Sequence, residues 1–386
     1  IYTGTGNRDI HFKGKSITVK SINGPGNCII DCNGSEADEH RGFNFHNNEG
    51  PNSVLDGFTI INGYGPEEYI GHNIRSVGGA IFCSGTSPKI INCIIKNNHA
   101  AYYGAGIFCR NSNLTVKNSV ISENSPINKP YWPNGGGIYS LDSNLTIANS
   151  IISGNTALGA GGAIYFNNLG AAITNCTITN CTITGNASGL NTGAIFNARA
   201  NLTIKNSIIR DNSPRQIASY YSGTASVTYS NIQDGWEGPT NIDADPCFID
   251  PGYWADINDV NIIVEPDDPN AIWIDGDYYL LPDSPCINTG DPIYVPQPNE
   301  TDLDGNPRII DGIVDIGACE FNYTPSQLLI LPKVINCKSH RPKILARLLL
   351  PPGTTKAQID AGEPLLLYPG PIKATNQKVV QRGRKK

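Results

Sequence analysis

Four aspartates, Asp302, Asp304, Asp311 and Asp315, make the sharpest oxygen-rich constellation in the sequence. Asp302-Leu303-Asp304-Gly305-Asn306 turns tightly and offers carboxylate and amide oxygens, as calcium loops do. No Glu falls at the twelfth position, so an EF-hand is excluded. Two expectations stand side by side: a Ca²⁺ site, or a turn closing a cap with Arg308 paired to an acid. For acid–base work the candidates are Glu67, Glu68 and Glu123, with Lys117 and Lys205 as basic groups. The three carboxylates would have to converge within about 10 Å, the range of spacings used by glycosidases. Tyr69, Tyr131 and Trp132 are the aromatics available to stack on sugar rings. Asp142 and Asp211 stand alone on strand or corner positions.

These residues hang on a repeat that runs from Gly78 to Asn212. Its first half is a glycine-led apolar run, as in Gly78-Gly79-Ala80-Ile81-Phe82 and Gly135-Gly136-Gly137-Ile138-Tyr139. Its second half is strand, Asn corner, strand and closing Asn, as in Leu145-Thr146-Ile147-Ala148-Asn149-Ser150-Ile151-Ile152 ending at Asn155. The central Ile recurs at 81, 107, 138, 164 and 195, in steps of 26, 31, 26 and 31. The corner Asn is read at 92, 118, 149, 175 and 206, and the closing Asn at 98, 124, 155, 186 and 212. One long step holds the insert from Pro126 to Asn134. The other holds a duplication, Cys176 to Asn180 against Cys181 to Gly185. A period in the twenties with period-two alternation, β-branched residues and Gly/Asn breaks indicates stacked β coils and excludes helical repeats. Equivalent strands then pair in parallel about 4.8 Å apart, with right-handed crossovers. The fold expected is all-β: a right-handed parallel β-helix of three strands per rung, with the corner asparagines forming a ladder.

Residues 1–77 hold less regular rungs, and the insert from Tyr64 to Ser76, with Glu67, Glu68, Tyr69, His72 and Arg75, leaves the coil as a lip or a solvated loop. Regularity ends at Ile232. The expected domains are 1–236 as β-helix, 237–322 as an Asp/Pro-rich cap closing it, and 323–386 as a small, incomplete basic β module. That last stretch holds 12 Lys/Arg and 2 Asp/Glu, leaving 16 basic against 32 acidic residues in the rest. Its terminal Arg382-Gly383-Arg384-Lys385-Lys386 reads as a solvated tail, and no nucleic-acid partner is expected. No apolar stretch is long enough to span a bilayer. With no Met, and with a mid-strand opening at Ile1-Tyr2-Thr3-Gly4, the chain reads as a fragment or processed product. Eleven cysteines leave at least one unpaired, and Cys83 and Cys109, at one rung position, are buried thiols or a disulfide.

Asn241-Ile242-Asp243-Ala244-Asp245-Pro246-Cys247-Phe248, Leu280-Leu281-Pro282-Asp283-Ser284-Pro285-Cys286, and Val314-Asp315-Ile316-Gly317-Ala318-Cys319-Glu320-Phe321 resemble the closing region of bacterial secreted right-handed β-helix proteins. Such proteins are described as pectate-lyase-like, and some carry a choice-of-anchor module. The Gly-Gly-Ala-Ile repeats are also similar to chlamydial polymorphic outer-membrane repeats. The resemblance covers about residues 1–322 and implies architecture, an extracellular or cell-surface setting and polysaccharide or cell-surface glycan partners, with no agreed catalytic residues. Polygalacturonase-type Asp clusters are missing: no Asp follows Asn191-Thr192-Gly193, and no Gly-His-Gly occurs. The regular rungs are also poor in the acids a lyase-type Ca²⁺ site needs. Lys117 and Lys205 share an outward position with Ala148 and Thr174 between them, which makes a broken stripe. The expected function is a secreted or surface scaffold acting as adhesin, structural rod or glycan binder. The alternative is a polysaccharide lyase or glycoside hydrolase whose groove lies over the two inserts.

Overall fold

A computed structural model describes residues 1–70, 73–126, 132–170 and 173–322, together with the backbone of Gln327–Leu331, Leu345–Leu349, Leu366–Leu367 and Ile372–Lys373. The chain divides into two units, Ile1–Phe321 and Asn322–Lys386. In the second, Gln327–Leu331 pairs antiparallel with Leu345–Leu349, and Leu366–Leu367 with Ile372–Lys373. The basic run 382–386 lies outside the described residues.

Alternation decides the first unit. Each rung contributes one strand to each of three eight-stranded parallel sheets. The first sheet runs from Ile10–His11 to Ile217–Tyr220, the second from Thr18–Lys20 to Thr224–Thr228, and the third from Ile29–Asp31 to Asn231–Ile232. Three columns of like residues fill the interior. Ile81, Ile107, Ile138, Ile164 and Ile195 stack in register in the first sheet. Ile90, Val116, Ile147, Ile178 and Ile204 do so in the second, and Ile95, Ile121, Ile152, Ile183 and Ile209 in the third. All of these side chains are fully buried, each contributing about 1.5–3 kcal/mol of apolar transfer free energy. The architecture is a right-handed parallel β-helix.

One register expectation is corrected. Asn175 is not a corner residue: it pairs with Asn201, and the corner at this rung is Asn180, which has φ 52°. The two copies of Cys-Thr-Ile-Thr are consecutive strands, Thr174–Thr179 in the second sheet and Thr182–Thr184 in the third. The extra five residues therefore precede Thr174. Two identical tetrapeptides, followed by Asn180 and Gly185, carry the same alternation, so only stacking decides between them. Cys176 pairs opposite Leu145 and Leu202 and is buried, whereas the Cys181 N–H reaches Ser207 Oγ as Cys93 reaches Ser119. The stripe between Lys117 and Lys205 consequently holds Ala148 and Thr179, not Thr174.

The corner ladder is partial. Asn206 donates to Asn180, and Asn180 to Asn149, both at 3.1 Å, but Asn149 and Asn118 turn to Thr301 and Glu300 instead. The unbroken ladder is that of the closing asparagines. Asn98, Asn124, Asn155, Asn186 and Asn212 pass an Nδ2–Oδ1 bond of 2.9 Å from each to the next, all buried.

Residues 243–321 do not simply stopper the coil. Trp236 packs against the end of the core, but the later segment runs back along the flank. Phe248, Tyr278, Leu280 and Ile316 cover the outward-facing Ile151 and Ile208 of the third sheet, with Val120 at the margin. The Trp273 indole lies across Gly154 and Gly185: a Cβ there would sit 2.2 and 2.0 Å from its ring atoms. Polar ties follow the same line, from Lys96–Asp275 at 2.7 Å to Arg210–Asp243 at 2.6 Å.

Candidate functional site

The two inserts leave the coil at the same corner, between a third-sheet strand and the next first-sheet strand. The first stands between Thr59–Ile61 and Ile81–Ser84, the second between Val120–Ser122 and Ile138–Leu141. One rung intervenes, so they sit two rungs apart, roughly 10 Å along the axis. The first insert is a hairpin, Glu67–Ile70 against Asn73–Ser76. Tyr69 on it is 70% exposed, and Trp132 in the second insert is 62% exposed. Tyr131 and His72 lie outside the described residues.

The hairpin's Ile70 packs at one end of a column of rings on the outer face of the first sheet. Phe82, Phe108, Tyr139, Tyr165, Phe196 and Tyr220 stack with centroids 4.6–5.8 Å apart and nearly parallel planes. Arg41 sits 4.7 Å over Phe82, and Arg110 donates to the Tyr69 carbonyl. Phe82 and Phe108 are buried, while Tyr220 is 37% and its neighbour Tyr221 76% exposed. The sequence carried this signal, an aromatic after every central Ile, and reasoning from chemistry passed over it.

Four of the five acid–base candidates are committed elsewhere. Glu68 forms an ion pair with the buried Arg41 at 3.0 Å, and Arg41 also reaches Asn44, Pro66 O and Val77 O. Glu123 binds Lys96 at 2.7 Å, and Lys96 also holds Asp275. Burial pushes the Glu123 carboxyl up, Lys96 opposing and Asp275 reinforcing. Glu67 is exposed on the hairpin. Glu68 thus faces the first sheet and Glu123 the flank segment. The lysine stripe is likewise a fastening: Lys117 pairs with Glu300 at 3.3 Å and Lys205 with the buried Asp291.

The aspartate constellation is a backbone clamp. Asp302 Oδ1 accepts from the Asp304 and Asn306 N–H groups at 3.0 and 2.7 Å, and Oδ2 from Glu320 N and Asn306 Nδ2. Asp315 accepts from Asn288 N at 2.7 Å and Phe321 N at 2.6 Å. Asp304 and Asp311 are exposed. Arg308 is buried against Glu320 at 3.0 Å, and burial raises the Glu320 carboxyl to about 8 against the pull of Arg308. Carboxylate oxygens already occupied by N–H donors are poorly suited to a cation, and among the described residues no group of three or more His, Cys, Asp or Glu could hold one. Cys83 and Cys109 are free, buried thiols in register.

Against known proteins, a family model described as "Right handed beta helix region" matches residues 79–250. No curated protein matches the chain. Among solved structures, the crystal structure of pectate lyase Pel9A aligns over 73% of this chain and 66% of that one, at 18% identity and TM-score 0.37. No helix of the described residues is long and apolar enough to cross a membrane.

Proposed function

We propose that this chain is a secreted or cell-surface scaffold whose β-helical unit binds glycan without cleaving it. The observation that supports this reading is the commitment of four of its five acid–base candidates, the fifth, Glu67, lying exposed on the hairpin. Glu68, Glu123, Lys117 and Lys205 each satisfy a partner of opposite charge within the fold. A general acid or base must instead reach the substrate at the moment of proton transfer. Exposed aromatics remain at the surface, Tyr69, Trp132 and Tyr221 among them, and such rings pack against the C–H faces of sugars.

The test is a panel of acidic and neutral polysaccharides scored for retention and for new reducing ends or unsaturated products, with and without Ca²⁺. Retention of at least one polymer without turnover is the expected result. Turnover that chelator abolishes would reject the scaffold reading in favour of a lyase.

A further inference from the structure

Where the flank segment passes the next-to-last rung, it leaves a cleft of about 500 Å³ lined by Arg210, Asp211, Asp245, Tyr253, Trp254 and Trp273. A recess of about 250 Å³ shares Asp211 and Asp245 with it and extends toward Phe248 and Leu281. We propose that this cleft binds a neutral sugar residue of a glycan chain and discriminates against uronates, an inference that rests on the glycan-binding role proposed above.

Three features of the wall support it. The volume falls within the range of small-ligand sites, about 300–1,000 Å³. Trp254 and Trp273 meet edge to face with centroids 5.3 Å apart, an aromatic pair against which the apolar face of a pyranose packs. Trp254 is only half buried, oriented by its N–H bond of 3.1 Å to the Gly185 carbonyl. Asp211 and Asp245 then supply exposed hydroxyl acceptors. The Asp211 carboxylate takes no hydrogen bond and no ion pair from any described residue. Asp245 spends one oxygen on the Cys247 N–H at 2.8 Å.

Charge sets the class of ligand. Arg210, the one cation among the described lining residues, is tied to Asp243 at 2.6 Å and to Asn231 at 3.2 Å. A sugar carboxylate placed here would meet like charge from both acids. The protein around the cleft raises the Asp211 carboxyl above its usual value, Arg210 opposing and Asp245 reinforcing. Sugar hydroxyls donating to these carboxylates form charge-assisted bonds, roughly twice as strong as neutral ones. Asp211 and Asp245 are far apart in sequence, and only the return of the flank brings them to one opening.

The experiment is titration of the full chain with neutral and uronate-containing oligosaccharides, read by tryptophan emission. All 4 Trp lie in residues 1–322, so tryptophan emission reads the unit that holds the cleft. The variants are Asp211→Asn and the pair Asp211→Asn with Asp245→Asn. Asn suits position 211, where φ is 56°, because Asn62 and Asn97 occupy the equivalent corner at 54°. Expected are a neutral oligosaccharide that shifts the emission, an affinity loss of about tenfold per lost charged acceptor, and an unchanged unfolding midpoint. If the double variant binds that sugar as the parent does, or uronates shift the emission equally, the cleft assignment is overturned and the scaffold reading stands. If no glycan in the panel is bound by any readout, both are overturned.

Discussion

At the scale of single residues, asparagine does two different jobs in this coil. At corners it supplies left-handed backbone: Asn92, Asn111, Asn118, Asn149, Asn180 and Asn206 all have φ between 48° and 53°. In the buried ladder it supplies hydrogen bonds. Asn155 Nδ2 donates to Ile121 O, Ser153 O and Asn186 Oδ1, while its Oδ1 accepts from Asn124 N and Nδ2. Removing that amide leaves several buried groups unmatched, at about 1–3 kcal/mol each. Asn155→Ala should therefore cost about 3 kcal/mol or more, read as a lower urea midpoint. Asn111→Gly at an exposed corner should stay within about 1 kcal/mol, because glycine adopts the same backbone freely. Equal effects of the two changes would refute this division of labour.

At the scale of elements, the flank segment is held by ion pairs as well as by apolar cover. Glu300 is its central fastening, 6% exposed and bonded to Gln297 N, Tyr294 Oη, Asn149 Nδ2 and Lys117 Nζ at 2.8–3.3 Å. Burial alone would raise this carboxyl. The Gln297 N–H, the Asn149 amide, Lys117 and Tyr294 outweigh it and hold the carboxyl below the ordinary value of 4.5. A depressed acid contributes stability that is complete above its unfolded value and is lost as pH falls through its folded one. Acid titration followed by tryptophan emission should thus show stability falling below pH 4.5 in the parent. Glu300→Gln should be less stable at neutral pH and flatter through that window. An unchanged slope would remove Glu300 from the fastening.

At the scale of the whole molecule, charge is segregated. Residues 1–322 carry 16 basic and 32 acidic residues, and 323–386 carry 12 and 2. Polyanions are drawn to the second stretch and repelled by the first. Retention of a uronate polymer should therefore fall as salt rises from about 0.1 to about 1 M, where the screening length shrinks from about 10 to about 3 Å. Retention of a neutral polymer, resting on stacking and short hydrogen bonds, should change little over the same range. Salt-independent uronate retention would show that the binding is not of this electrostatic kind.

The coil was legible in the sequence because its information is local and periodic. The inward Ile, the Gly-led turns and the closing Asn recur at fixed spacing, and a strand's period of two leaves one register that buries them. Even the outer aromatic column and the doubled apolar pairs of the third strand, such as Ile151-Ile152 and Ile208-Ile209, were present as signals that those outer faces are covered. Two things were not legible. The two copies of Cys-Thr-Ile-Thr at 176–179 and 181–184 satisfy alternation either way, and only contact with Leu145 and Leu202 above and below assigns them. The path of residues 243–321 has no period at all. Its position depends on long-range pairs, Glu300 with Lys117, Asp291 with Lys205 and Asp275 with Lys96, that join residues more than 80 apart in the chain. That path turned the lysine stripe into a fastening and brought Asp245 to Asp211, because ion pairs and clefts form between surfaces that meet only after the chain has folded back on itself.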